Sequence, residues 1–213
     1  MTFAHRISAY NRDRKWKIFL NEIAPKQGMK ILDLGFTGKE ASRNANYIEK
    51  HYPFLQDMIA LGLSESHEFQ TNFPEVQAVV YNGDEFPFKN KAFDLCWSNA
   101  VLEHVGDRDA QLFFLEEIKR VARRAFITTP NRYFPVEVHT RTPLLHYLPK
   151  GLFERYLVAT GQSWAVGDYM NLLSESDLKL LLSEAGITDY HIYANRLGLF
   201  VLDFVIVFTN SGD

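Results

Sequence analysis

The sequence predicts an α/β protein in which a mostly parallel sheet carries helices on both faces. Three observations point there. Short apolar runs of strand length alternate with helix-length stretches along most of the 213 residues. The first run, Lys30-Ile-Leu-Asp-Leu-Gly-Phe-Thr-Gly38, ends in an acid and a glycine-bearing turn. One long, proline-punctuated stretch, from Pro130 to about Gly167, breaks the rhythm. Strands buried on both faces read as near-continuous apolar runs, and alternation with helices is the pattern of crossover-connected parallel strands.

A helix over about Asn11–Ile23 comes first, and its Arg12, Arg14, Lys15 and Lys17 read as a solvated basic face. Strands are expected at Met29–Leu34, Met58–Leu63, Ala78–Tyr81, Phe93–Ser98 and Ala125–Thr129. Between the last two, Asp107–Val121 reads as a helix, with Asp107 or Asp109 as its cap and Leu112, Leu115, Ile118 and Val121 on one side. Ser174-Glu-Ser-Asp177 is a capping-box variant opening a helix over Asp177–Ala185, which Gly186 stops. Strands near Ile187–Ala194 and Phe200–Phe208 follow, close enough in sequence to pair antiparallel. The apolar run Leu197–Phe208 is shorter than the roughly 20 residues of a membrane span, and Asp203 interrupts it.

Composition excludes several classes. A net charge of −3 provides no whole-protein field for nucleic acid. The single cysteine, Cys96, excludes an intrachain disulfide framework and fits a reducing compartment. The first residues carry no long apolar core, so the expectation is a cytoplasmic protein without a membrane span. The turn after Leu34 has too few glycines for a dinucleotide fingerprint. Glu40 after Gly38-Lys39 also fails the phosphate-binding P-loop pattern. A glycine turn without a phosphate cradle suits a ligand that lacks a pyrophosphate.

At Asp33-Leu-Gly35 the chain resembles the class I S-adenosylmethionine-dependent methyltransferases of the type 11 kind. Two later segments, in order and at similar spacing, are similar to that family's third- and fourth-strand motifs. They are Tyr81-Asn-Gly-Asp84-Glu-Phe-Pro-Phe88 and Ala92-Phe-Asp94-Leu-Cys-Trp-Ser-Asn99-Ala-Val-Leu-Glu103-His104-Val. The resemblance covers residues 28 to 130 best. It implies a Rossmann-like, seven-stranded, mostly parallel sheet in the order 3-2-1-4-5-7-6 with helices on both faces. It also implies one domain over residues 1–213, with an acceptor-cap insertion at 130–167.

The implied cofactor is S-adenosyl-L-methionine and the implied partner a small-molecule methyl acceptor. The resemblance assigns Asp33, Gly35, Thr37 and Gly38 to the cofactor loop and Gly62 and Ser64 to the end of the second strand. Asp84 and Glu85 fall near the adenine, and Asn99 and Ala100 at the methyl-transfer end. His104 is the candidate general base. Glu103, Asn131, Arg132, Tyr133, His139 and Arg141 are acceptor-side candidates, with His146 and Tyr147 beside them. Arg132 and Arg141 could clamp a carboxylate or phosphate. Glu137, His139 and His146 match no dedicated metal spacing, so no metal is expected.

Three departures open a second reading. Thr37 and Lys39 stand where the family's loop continues with glycine. Gly62 stands where its second strand ends in an acid that accepts from the ribose diol, a loss of roughly 1.5–3 kcal/mol. Ser64 or Glu65 could substitute, and an aspartate at 62 would restore the acceptor. A methyltransferase-like fold serving as a partner or regulatory subunit is therefore the alternative function.

Overall fold

In a computed structural model the described residues are 3–38, 45–63, 66–167 and 170–210, with side chains from residue 9 onward. Ser64, Glu65 and Lys39 lie outside them. Helix α1 (Phe3–Ile23) precedes strand β1 (Ile31–Leu34), and α2 (Tyr47–His51) precedes β2 (Met58–Gly62). Helix α3 (His67–Asn72), β3 (Gln77–Val80), β4 (Phe93–Asn99), α4 (Arg108–Val121) and β5 (Ala122–Pro130) continue the alternation. A short hairpin, β6 (Val136–Glu137) and β7 (Thr142–Pro143), leads to α5 (Lys150–Ala159). Helix α6 (Glu175–Glu184), β8 (Tyr190–Leu197) and β9 (Phe200–Thr209) complete the described chain.

The main sheet has seven strands in the order β3-β2-β1-β4-β5-β9-β8. With the hairpin left out of the count, this is the expected 3-2-1-4-5-7-6. Strand β9 alone runs antiparallel to its neighbours β5 and β8. Successive side chains of a strand point to opposite faces, and each face has its own core. Leu32, Leu34, Cys96 and Ile127 pack under α4 and α6 with Leu115, Ile118, Leu178 and Leu181. Ile31, Leu95, Trp97 and Phe126 pack under α1 with Phe19 and Ile23.

Local chemistry explains the boundaries. Asp107 caps α4, its carboxylate accepting from the Ala110 N–H at 3.0 Å. Ser174 and Asp177 form a full capping box, so α6 begins two residues earlier than expected. Strand β5 begins at Ala122, directly after α4, rather than at Ala125. Helix α1 reaches back to Phe3, beyond the expected Asn11. None of the described helices is long and apolar enough to cross a membrane.

The 130–167 segment leaves the end of β5 and returns where Asn131 bridges Leu173. It carries its own small core of Phe153, Leu157 and Ala165. In its hairpin and the turn that follows, Arg141 and Leu144 adopt left-handed φ angles of 57° and 59°, uncommon outside glycine.

Candidate active site

The carboxyl edge of β1 and β4 forms a cleft lined by Asp33, Gly35, Thr37, Asn46, Glu49 and Asn99, with Tyr47 and Trp97 as aromatic walls. Its volume is about 90 Å³. Gly35 has φ 89°, and a Cβ there would come within 2.5 Å of Val101 Cγ2. Only glycine lets this turn lie against the loop after β4. The Thr37 N–H donates to Asn46 Oδ1 at 2.8 Å, and Asn46 Nδ2 returns a bond to Thr37 O at 3.0 Å. That exchange braces the loop where the family would place another glycine. Gly38 is buried in the same turn.

Asp33 and Glu49 are both buried at this cleft. Burial first, and then the neighbouring Glu49 carboxyl, push the Asp33 carboxyl well above the ordinary aspartate range. Two such carboxyls at close quarters share a proton rather than both ionise. S-adenosylmethionine carries an ammonium and a sulfonium, so the residues fit the cationic half of that cofactor. The end of β2 differs from expectation. Gly62 lacks a left-handed φ, yet a Cβ on it would meet the Phe36 ring at 2.8 and 2.9 Å. Phe36 is buried and packs at a tilt against Phe69, with ring centroids 4.6 Å apart, so an aspartate at 62 would collide with a core ring. Gly62 here serves packing.

Asp84 is exposed and bonds Asn82 at 2.5 Å. Glu85 turns toward Arg120, 3.4 Å away, where Arg120 is bound to Glu117 and to the carbonyls of Phe86 and Phe88. Neither acid lines the cleft among the described residues.

At the other end of the site, β4 finishes in Asn99, and Ala100 follows it. Asn99 Oδ1 accepts from Thr128 Oγ1 at 2.7 Å and from Lys15 Nζ at 2.9 Å. Ala100 has φ 58°, a costly conformation for a non-glycine residue. The turn Leu102–His104 then presents Glu103 and His104 to His139 from the β6–β7 hairpin. The two imidazole Nε2 atoms lie 3.1 Å apart. Glu103 is fully buried; its Oε2 accepts from Thr129 Oγ1 at 2.9 Å. Burial pushes its carboxyl above the ordinary range, with His104 the largest opposing influence. Glu137 Oε1 takes the His139 Nδ1 side at 2.9 Å, and Glu137 Oε2 accepts from the Thr140 N–H and hydroxyl, each at 2.6 Å. Burial opposes ionisation of Glu137, but these donors outweigh it and hold the carboxyl at about 2. Burial likewise opposes charging of His139, and Glu137 outweighs it, raising His139 above the ordinary histidine range.

The remaining acceptor-side expectations divide. Arg132 lines a pocket of about 320 Å³ between the insertion and α6, together with Arg108, Lys150, Glu137, His146 and Asp177. Both ring nitrogens of His146 are buried with no hydrogen-bond partner among the described residues. Asn131 is structural: it donates to Val201 O at 2.9 Å and accepts from the Tyr133 N–H at 3.1 Å. Tyr133 is largely exposed, with its carbonyl held by the Tyr147 hydroxyl at 2.8 Å, and Arg141 sits exposed in the hairpin turn.

The basic cluster of α1 is not a solvated face throughout. Lys17 is exposed and pairs with Asp13, but Lys15 is buried beside Asp203 at 3.4 Å. The Arg12 guanidinium is drawn below its usual range chiefly by burial. The signal that could have shown this is Asp203, a lone acid inside an apolar strand. A buried charge needs a partner.

Residues 32–125 match the family model of the methyltransferase domain. A curated sarcosine/dimethylglycine N-methyltransferase of Aphanothece halophytica is 33% identical over 103 residues, covering 45% of this chain and 35% of that protein. The chain thus spans about a third of the length of that relative. A structure of a SAM-dependent methyltransferase from Aquifex aeolicus superposes with a TM-score of 0.57 at 18% identity, covering 91% of this chain and 88% of that one. Phosphoethanolamine N-methyltransferase 2 of Haemonchus contortus, in complex with S-adenosyl-L-methionine, gives 0.57 at 15% identity over 85% of this chain and 38% of that one. At such identities the structural likeness is one of fold. Residues 32–125 of the chain are thus similar to a methyltransferase domain, and its seven-stranded sheet has the fold of the S-adenosylmethionine-dependent methyltransferase structures named here.

Proposed function

We propose that this chain is an S-adenosylmethionine-dependent methyltransferase whose acceptor is a small molecule, with a hydroxyl on a sugar, lipid or aromatic precursor as the leading acceptor group. The observation that carries this is the Glu103–His104–His139 cluster beyond β4, with the 320 Å³ pocket against the neighbouring insertion. A volume of that size suits a small ligand.

S-adenosylmethionine, when bound, supplies an activated methyl group. The chain's tasks are then to hold the acceptor in line and exclude water. In this reading Asp33 and Glu49 meet the cofactor's cationic half, and Gly35 allows close backbone approach. Asn99, locked by Lys15 and Thr128, shapes the methyl-transfer end. His104 and His139 hold the acceptor's reacting group. Arg132 and His146 take its polar remainder, and the 130–167 insertion closes over it as a cap.

The test is calorimetric titration with S-adenosylmethionine and its demethylated product, then transfer of a labelled methyl group to a panel of acceptors. The panel pairs sugar and phenolic hydroxyls against amines such as sarcosine and phosphoethanolamine, since two of the three proteins named above are N-methyltransferases. Micromolar binding with transfer to a hydroxyl supports the reading. Transfer only to amines would correct the acceptor. One observation favours a non-catalytic partner or regulatory subunit instead: the cleft of about 90 Å³, with Phe36 filling the space over Gly62. Absence of binding at millimolar cofactor would make that the better reading.

A further inference from the structure

We propose that Glu103, His104 and His139 form a binding site for a divalent transition-metal ion. Their ligand atoms converge within 4.8 Å of one another. The two Nε2 atoms are 3.1 Å apart, and Glu103 Oε1 is 3.9 Å from each. Metal–ligand bonds of about 2.0–2.2 Å at a tetrahedral angle separate ligand atoms by roughly 3.3 Å. The imidazole pair already has that spacing, and the carboxylate needs to close by only about half an ångström.

An independent observation points to a ligand. Glu103 is fully buried, yet its Oε1 has no hydrogen-bond partner among the described residues, while Oε2 is satisfied by Thr129. A buried carboxylate oxygen left unpaired is costly, and it is aimed at the two imidazoles. The support behind His139 is also that of a metal ligand. Glu137 accepts from the Nδ1 side, which turns the Nε2 lone pair toward the cluster. Glu137 is in turn fixed by the backbone N–H groups of His139 and Thr140 and by the Thr140 hydroxyl.

Two imidazoles and one carboxylate suit zinc, cobalt(II) or iron(II) better than magnesium or calcium. Three protein ligands leave a coordination position open. The partly exposed imidazoles, at 24% and 20%, give an oxygen ligand access to it. The ligands come from two segments far apart in sequence, so no short spacing motif announces them. With an ion bound, His104 and His139 would hold the acceptor's reacting group through it rather than directly, and the site stands whichever acceptor is methylated.

The experiment is titration of the chelator-treated full chain with cobalt(II), read by visible d–d absorption, and with zinc by calorimetry. One equivalent should bind with a micromolar or tighter dissociation constant. His139→Ala and Glu103→Gln should each weaken binding at least 100-fold. Glu137→Gln, which removes only the support behind His139, should weaken it 10- to 100-fold. His191→Ala, on the distant edge strand, should leave it unchanged. Thermal melting checks that each variant folds, and the spectrum of the unmodified chain decides the matter even where one does not. No saturable binding of either ion would overturn the proposal and leave the 3.1 Å contact a plain histidine–histidine hydrogen bond. One-to-one binding unaffected in folded His139→Ala and Glu103→Gln would overturn it equally, by locating the ion elsewhere.

Discussion

Gly62 illustrates how one residue can mean different things in sequence and in space. As text it stands where an acid belongs; in the fold it leaves room for the Phe36 ring, 2.8 Å from where a Cβ would sit. Gly62→Asp should therefore destabilise the chain by about 1–3 kcal/mol, as overpacking does, and should not tighten cofactor binding. Phe36→Ala in the same chain should recover part of the loss. Urea denaturation of the two single variants and the double gives the coupling between them; strict additivity would refute the clash. Asp33 carries a second prediction at this scale. The folded chain holds the Asp33 proton more tightly than the unfolded chain does, because of burial and Glu49. Its contribution to stability is therefore full below the ordinary aspartate range and is lost as pH rises through the raised folded value. Each tenfold change in acid dissociation is worth about 1.4 kcal/mol. Asp33→Asn should accordingly gain stability relative to the parent at pH 8, and the gain should vanish near pH 4. Denaturation midpoints that keep the same difference at both pH values would exclude the shared proton. Neither relation could be read from the chain, because Phe36 and Glu49 belong to segments whose placement depends on the folded loop.

The elements themselves were legible wherever a local signal fixed them. Asp107 and the Ser174–Asp177 box set the starts of α4 and α6 by side-chain bonds three residues away. The long insertion was visible in its prolines, but its hairpin was not, since β6 and β7 have two residues each. Helix α1 differs from the expected solvated face on one side, because Lys15 docks on the ends of β4, β5 and β9, all distant in sequence. Lys15 donates to Asn99 and Thr128 and lies against Asp203, which also accepts from Asn11 Nδ2 at 2.6 Å. Removing one partner of a buried pair leaves the other charged and uncompensated, at a cost of about 3–5 kcal/mol. Lys15→Met should fall near the lower figure, since Asn11 still serves Asp203. Lys17→Met, on the exposed face of the same helix, should change stability by less than about 0.5 kcal/mol. Equal midpoints for the two variants would mean that α1 does not dock through Lys15.

Across the whole molecule, topology was the most legible property. The alternation of runs dictates a parallel sheet, and crossover rules leave few orders for it. The proposed acceptor side was less legible because it is assembled between units. Glu103 and His104 end a turn of the sheet, while Glu137 and His139 arrive from the insertion. That division has an energetic counterpart. Both faces of the main sheet pack large buried clusters, joined through β1, β4, β5 and β9. The insertion has only Phe153, Leu157 and Ala165 buried in its own cluster, flanked by Leu145, Tyr156 and Val166. Its α5 leaves Leu152 and Val158 more than half exposed. Regions with few buried apolar contacts open below the global unfolding free energy. Residues 145–166 should thus form a separate, weaker cooperative unit, with amide protection several kcal/mol below that of β4 and β5. Native-state hydrogen exchange at increasing denaturant measures this directly. The two sets of amides should show distinct opening free energies that merge only near the unfolding midpoint. If α5 exchanges only through global unfolding, the insertion is an integral part of the core, and its reading as a cap that opens for the acceptor fails.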